Sequence, residues 1–521
     1  MLLHEFLESS ASLYPGKTAL ICRDKRLTYA EIDRTANSLG RALVAEGLRK
    51  QDRAVIYLDN SVESVVSIFA ILKAGGVFGI IDPQVKGKKL NYILQDCQAR
   101  MLITDAAHLA GVSETISHLP HLKRVVITDD KRSANPVESR GIRPEILSYR
   151  TLVEEYPSLS LVPSCIDIDL ASLIYTSGSS GTPKGVMLTH HNMISAASSI
   201  IQYLKNTDKD IILDILPLAF DYGLYQVLMA FKFGGTVVLE RALIYPQQMI
   251  NLIAREKITG WPIVPMMAAI LVRMKNLEKN DFSSLRYITS TGQVLPAPHI
   301  ACLRKAFPGV EIFSMYGLTE CKRVSYLPPE QLEKRPGSVG KAMPNTEAYI
   351  VDEKGEVITE ASRPGELVVR GSNVMKGYWN LPEETSKALR PGPYPGERVL
   401  YTGDLFKQDE EGYLYFLGRK DDIIKTAGHM VSPKEVENVL CEKEDVIEAA
   451  VIGVDDEILG KAVKAFVHLA DNSSSTEEDI LKFCSKRLEN YAVPKTVIIC
   501  GALPRTTTGK IQKRELLSRQ P

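Results

Sequence analysis

With 521 residues, 45% hydrophobic and 24% charged, the chain is too long for a single core and has the composition of a soluble globular protein of two or more domains. Its 63 basic and 63 acidic residues cancel, which leaves no electrostatic footprint for nucleic acid or another polyanion. The eight cysteines, at 22, 97, 165, 302, 321, 441, 484 and 500, include no C-x-x-C pair, so neither a zinc site nor a redox dithiol is expected, and they read as buried thiols of a reducing compartment.

The first residues, MLLHEFLESSASLYPGK, carry Glu5 and Glu8 where a signal peptide has a basic run. TYAEIDRTANSLGRALVAEGL (28–48) has the spacing of an amphipathic helix closed by a glycine. RAVIYLD (53–59) reads as a strand, SVESVVSIFAILKAG (61–75) as a helix and VFGIID (77–82) as a strand. The most apolar stretch, Val65 to Ile81, is broken by Lys73, Gly75, Gly76 and Gly79, so no membrane span is expected and the chain reads as cytoplasmic. RMLITD (100–105) and KRVVITD (123–129) add strands, and the alternation predicts doubly wound parallel α/β sheets. EAYIVDEKGEVIT (347–359) and GELVVRG (365–371) look like hairpin strands of a β-rich subdomain. Beyond about residue 420 the pattern restarts as a small α+β unit, with helices at 432–442 and 476–489 and strands at 448–454, 461–470 and 495–500. The expected domains are 1–420 and 421–521.

YTSGSSGTPKG (175–185) is rich in glycine, hydroxyls and one lysine, as phosphate-wrapping loops are. It is not a P-loop: counted from Gly178, Pro183 stands where the second glycine belongs and Gly185 where the magnesium-binding hydroxyl belongs. It follows the strand-like ASLIY (171–175) and precedes VMLTHHNMISAASSII (186–201), which reads as a helix with Thr189 or Asn192 as cap. A loop between strand and helix presents N–H groups to an anion.

Further clusters stand at LPLAFDYG (216–223), SMYGLTE (314–320), YTGDL (401–405), GRKDDIIKTAG (418–428) and PRTTTGKIQKREL (504–516). Together with the loop, and with LTYAEID (27–33) and LKAGG (72–76), they resemble the adenylate-forming superfamily of acyl-CoA synthetases, peptide-synthetase adenylation domains and luciferases. The resemblance runs the whole chain and is strongest to free-standing bacterial acyl- or aminoacyl-AMP ligases. It implies a large N-terminal domain with ATP and acid sites and a small C-terminal domain on a hinge. The chemistry implied is attack of a carboxylate on ATP, giving an acyl-AMP and pyrophosphate, then transfer to a thiol with loss of AMP.

The resemblance also implies roles. Thr176, Ser177, Gly178, Ser179, Ser180, Gly181, Thr182 and Lys184 would close over the ATP phosphates. Tyr316 and Gly317 would lie near the adenine, Thr319 on the α-phosphate and Glu320 on Mg2+, which one carboxylate plus phosphate oxygens can hold. Asp404 would accept from the ribose hydroxyls, with Arg419 in support. Asp421 matches the hinge and Gly428 the loop along the thiol's approach. Lys510 matches the lysine that bridges carboxylate and nucleotide.

The acid pocket is implied at Phe220, Asp221, Tyr222, Tyr225, Thr289, Thr291, Met315 and Arg323, shaped for a small or medium acid. Phe220 falls where CoA ligases often carry a histidine gate. Asp221 falls where amino-acid-activating relatives hold the substrate ammonium, which favours an amino acid such as proline, loaded on a carrier protein. The alternative is an internal pairing of Asp221 with Arg323 or another base, and a plain carboxylic acid as substrate. STGQVLP (290–296) and CKR (321–323) depart from the family's pattern. No carrier domain follows Lys510 before Pro521, so the phosphopantetheine thiol would belong to CoA or to a separate carrier protein. A luciferase-like oxygenase and a nucleotide-binding scaffold are the remaining alternatives, and the failed motif frame argues against a fourth, a P-loop kinase or ATPase.

Overall fold

A computed structural model describes residues 1–85, 87–129, 144–162, 164–177, 182–240, 246–274, 277–292, 295, 297–426, 429–456, 459–505 and 511–517. Among these, the strands form three sheets. One has a parallel centre of Val77–Ile80, Arg53–Tyr57, Met101–Thr104 and Arg124–Ile127, with Leu170–Ser177 joining parallel to Val77–Ile80. The helices that wind it form where the patterning places them. Thr28 caps Tyr29–Ala45 in a reciprocal pair with Glu31, and Ser61 caps Val62–Lys73 in the same way with Ser64.

The second sheet starts parallel, through Gly260–Ile263, Tyr287–Ser290 and Glu311–Tyr316, and then reverses. Ser325–Leu327 and Ser338–Ala342 run antiparallel, and the sheet continues through Leu414–Arg419, Arg398–Gln408, Gly365–Gly371 and Thr346–Val351. The β-rich part read from the sequence is thus the far half of one sheet. Helices lie between the two large sheets and share one core with them. Phe69 of Val62–Lys73 stacks on Phe231 of Asp221–Phe233 with 5.2 Å between ring centres, and the buried Tyr29 hydroxyl donates to the Gly235 carbonyl at 2.7 Å.

The segment after the glycine-rich loop differs from the helix expected there. Pro183–Thr189 is a strand, antiparallel to Leu170–Ser177, with Thr176 opposite Lys184 and Ser177 opposite Pro183. The helix begins only at His190, where Thr189 and Asn192 form the cap. Val186 and Leu188 face one core while Met187 between them packs on the core at the other face of the sheet, and all three pair in the ladder, so pairing wins over the helical spacing further along. The strands on either side of the loop therefore pair with each other, and no helix starts at Pro183 to lend its N-terminus to an anion.

The third sheet begins at Ile424 and comprises Ile424–Thr426, His429–Val431, Val446–Asp456, Gly460–Leu469 and Thr496–Ile499. With the helices Pro433–Cys441 and Glu477–Ser485 it encloses a core of its own around Val436, Val451, Ala465, Ile480 and Val497. None of the eight cysteines, all among the described residues, forms a disulfide. Cys302 is exposed, against the expectation of buried thiols. No helix among the described residues is long and apolar enough to cross a membrane.

On Ser338–Ala342, one strand past the reversal of the second sheet, Gly340 sits at φ +85°, and a side chain there would land on the Tyr326 carbonyl. Gly340→Ala is expected to cost about 2 kcal/mol or more, read as a fall in the urea midpoint.

Candidate active site

The YGLTE segment is the turn at which the second sheet reverses. Glu311–Tyr316 ends at Tyr316, and Val324 N–H donates back to the Tyr316 carbonyl at 3.0 Å. Gly317 lies against the backbone of Lys322 and Arg323, where any Cβ would strike the Lys322 carbonyl. Lys322 itself takes φ +64°, a left-handed conformation uncommon for a long side chain. Asn373 clamps the turn from the next layer, donating to the carbonyls of Cys321 at 2.8 Å and Arg323 at 3.0 Å.

On one side of this turn lies Asp404, buried to 4% exposure on the strand Arg398–Gln408. The Tyr316 hydroxyl donates to its Oδ2 at 2.5 Å, and Arg419, directly opposite on the neighbouring strand, reaches its Oδ1 at 3.1 Å. Burial and the adjacent carboxylate push the Tyr316 phenol well above its ordinary value, so it stays a donor. The ring of Tyr316 packs against Phe406 and Phe416. Thr319 and Glu320 follow in the turn, both half-buried, and Glu320 Oε1 accepts from the Tyr378 hydroxyl at 2.7 Å.

The paired strand ends that flank the glycine-rich loop stand at the other rim. Thr176 and Ser177 end one strand and Lys184 lies in the next. Lys184 pairs with Glu384 at 2.5 Å, and with Lys387 also on it, the Glu384 carboxyl falls to about 2. Gly178, Ser179, Ser180 and Gly181, together with Gly428 and Lys510, lie outside the described residues. Thr182 is exposed. Asp421 is exposed in the turn between the second and third sheets, beside Lys420, which bonds Glu366 at 3.1 Å.

The acid-pocket residues gather on the opposite side of the turn. Phe220 precedes the helix Asp221–Phe233, whose start is fixed by Asn60, donating to the Leu216 and Glu240 carbonyls at 2.8 Å each. Tyr222 donates to the Thr289 carbonyl at 2.9 Å and lies 2.5 Å from its Oγ1. Thr291, Met315 and Tyr225 are buried, and the Tyr203 hydroxyl donates to the Met315 sulfur at 3.1 Å. The partner of Asp221 is Lys322: its Nζ donates to the Asp221 carbonyl at 2.9 Å and reaches Oδ2 at 3.4 Å. Burial drives the Lys322 ammonium down to about 8, against the pull of Asp221. Lys322 also sits over the rings of Tyr222 and Tyr225. Arg323 is buried as well, over the ring of Tyr222.

A family model described as AMP-binding enzyme matches residues 7–379, and one for the AMP-binding enzyme C-terminal domain matches residues 435–510. The chain belongs to the AMP-binding enzyme family. It is an adenylate-forming ligase. It is 31% identical to a long-chain-fatty-acid–CoA ligase of Bacillus subtilis, over 99% of this chain and 94% of that one. It is 28% identical to tyrocidine synthase 1 of Brevibacillus parabrevis, over 99% of this chain but only 44% of that longer protein. The structure of the anthranilate CoA ligase AuaEII in complex with anthranoyl-AMP superposes with a TM-score of 0.88 at 28% identity, covering 99% of this chain and 96% of that one.

Within this AMP-binding fold, four residues escaped the sequence reading: Lys322, Tyr378, Glu384 and Asn373. Only Lys322 had a visible signal, as the first cation of CKR. The others partner site residues from positions remote in sequence. A magnesium ion fits the turn in one respect. Among the described residues, Glu320 offers a half-buried carboxylate whose Oε1 accepts from Tyr378, and no group of three metal-binding side chains competes for the ion.

Removing one partner of a buried ion pair strands the other. Lys322→Met and Asp221→Asn are each expected to destabilise at pH 7, and the double variant to recover most of the loss, with a coupling of about 3 kcal/mol in a double-mutant cycle. Between about pH 8 and the ordinary lysine value of 10.5 the unfolded chain holds a proton on Lys322 that the fold has lost. Wild-type stability therefore gains with rising pH across that window, and the coupling fades as Lys322 is discharged. Urea titrations of the four proteins at pH 7 and pH 9.5 measure both effects.

Proposed function

We propose that this enzyme activates a non-amino carboxylic acid as its acyl-AMP and transfers the acyl group to the phosphopantetheine thiol of CoA. The observation that carries the substrate half is the Lys322–Asp221 contact. An ammonium group brought to Asp221 would meet a cation already in place. The likeness to a CoA ligase along 94% of its length supports the same choice. An amino acid such as proline, loaded on a separate carrier protein, is the second reading. It is favoured by the likeness to tyrocidine synthase 1 and by the buried acid at the start of its helix.

In this reading residues 1–420 bind ATP and the acid, and residues 421–521 turn about Asp421 between the two half-reactions. Asp404 takes the ribose hydroxyls by releasing the Tyr316 and Arg419 contacts it makes in this structure. Thr176, Ser177, Thr182 and Lys184, with the loop between them, cover the β- and γ-phosphates, and Lys184 exchanges Glu384 for phosphate. Thr319 donates to the α-phosphate, where charge builds as the acid attacks. Glu320 would hold Mg2+, which when bound neutralises phosphate charge. Lys510 bridges the incoming carboxylate and the nucleotide, and Gly428 lines the thiol's path. Phe220, Tyr222, Tyr225, Thr289, Thr291 and Met315 form the pocket wall.

Pyrophosphate exchange into ATP, driven by a panel of plain acids and the proteinogenic amino acids, tests the reading. Exchange is expected with acids that lack an amine; exchange with an amino acid alone favours the carrier-loading alternative. Asp404→Asn is expected to raise the KM for ATP by about 10- to 100-fold, as loss of a charged hydrogen bond does. Lys510→Ala is expected to abolish exchange and to spare thiol transfer from supplied acyl-AMP. Equal loss of both steps in a folded variant would remove Lys510 from the first.

A further inference from the structure

Arg323 is 2% exposed, and its Nε and Nη1 find no acceptor among the described residues. A guanidinium stays charged at any physiological pH. A buried charge without a counter-charge is costly, and among the described residues no carboxylate bonds to this guanidinium. Asp221 is taken by Lys322. Asp214, also buried near Lys322, is held toward its neutral form because burial raises its carboxyl well above the ordinary range. The aromatic face of Tyr222, 5.4 Å away, offsets only part of the desolvation.

This arginine is also held in place. Asn373 grips its carbonyl, Gly317 abuts its Cα, and the preceding Lys322 is kept left-handed. Backbone strain of that kind persists where the surroundings over-determine it and gathers at functional sites. Arg323 leaves the same turn as Thr319 and Glu320, on the side where Tyr222, Tyr203 and Met315 cluster.

Building on the acid-activating reading above, we propose that Arg323 seats a second anionic group on the substrate, so that the acid activated is a dicarboxylic acid. One carboxylate goes to the nucleotide, and the other supplies the counter-charge that the buried guanidinium lacks. The seat is covered in this structure, so the distal carboxylate enters by displacing the aromatic side chains packed over Arg323. The Lys322–Asp221 pair beside it keeps the remaining charge balanced whether or not the substrate is bound.

Pyrophosphate exchange by the full-length wild-type enzyme tests this, with aliphatic and aromatic dicarboxylic acids set against their own half methyl esters and against monoacids of equal length. A dicarboxylic acid is expected to exceed its half ester in kcat/KM by about 100-fold or more, the scale on which a buried charged partner is lost. Arg323→Gln is expected to erase that preference, bringing the kcat/KM of the diacid down to that of its own half ester in the same variant. The wild-type comparison stands even if the variant does not fold. Exchange with monoacids or half esters at rates equal to or above the diacids would overturn the proposal and leave the enzyme an acid-activating ligase. Exchange with no acid at all would overturn the acid-activating reading itself, and this inference with it.

Discussion

The tight reversal between Tyr316 and Val324 is the constraint on which the site depends. A parallel sheet must hand over to an antiparallel one within a few residues. That is possible only because Gly317 carries no side chain toward the Lys322 carbonyl and Lys322 accepts a left-handed backbone. The same few residues then present Tyr316 to Asp404, set Thr319 and Glu320 at the rim, and drive Lys322 and Arg323 into the interior. Nucleotide side and acid side meet because one turn serves both.

The electrostatics of the site are those of paired charges. Asp404 holds Tyr316 and Arg419, Glu320 holds Tyr378, Lys184 holds Glu384, and Asp221 holds Lys322. Ligand binding at such a site is an exchange of partners, and its free energy is a difference between two sets of hydrogen bonds. An exchange of this kind favours ligands that replace every contact they break, which is a route to selectivity without high overall affinity. Arg323 stands outside the scheme, as a buried cation that no carboxylate among the described residues compensates.

Much of this is legible in the sequence. Capped, periodic segments such as 28–48 and 61–75 form the helices they suggest, because local caps and a buried face agree. The restart beyond residue 420 corresponds to a sheet with its own core. The Gly/Thr/Glu/Asp clusters mark the ends of strands that the fold draws together. Residues 183–189 mislead because the apolar run of Val186, Met187 and Leu188 stands directly before the Thr189 cap and can be read as part of the helix that follows it. The pairing with Leu170–Ser177 that decides the matter is a tertiary fact. Partners are hidden for a similar reason: Glu384, Tyr378 and Asn373 come from segments far along the chain, and spacing says nothing about contacts of that range. For Asp221 the sequence leaves two explanations open, and the nearer one, an internal base, is what the packing shows.

The hairpin beneath the glycine-rich loop bears on how such a loop can change over evolutionary time. A residue added inside a helix rotates every side chain beyond it by about 100°. Here both ends of the loop stand on one ladder, fixed where Ser177 meets Pro183 and braced from the other edge by Gly377 and Tyr378. Residues can be gained or lost at the tip while the register below is kept. The reach of the loop and the scaffold that carries it are therefore free to vary independently.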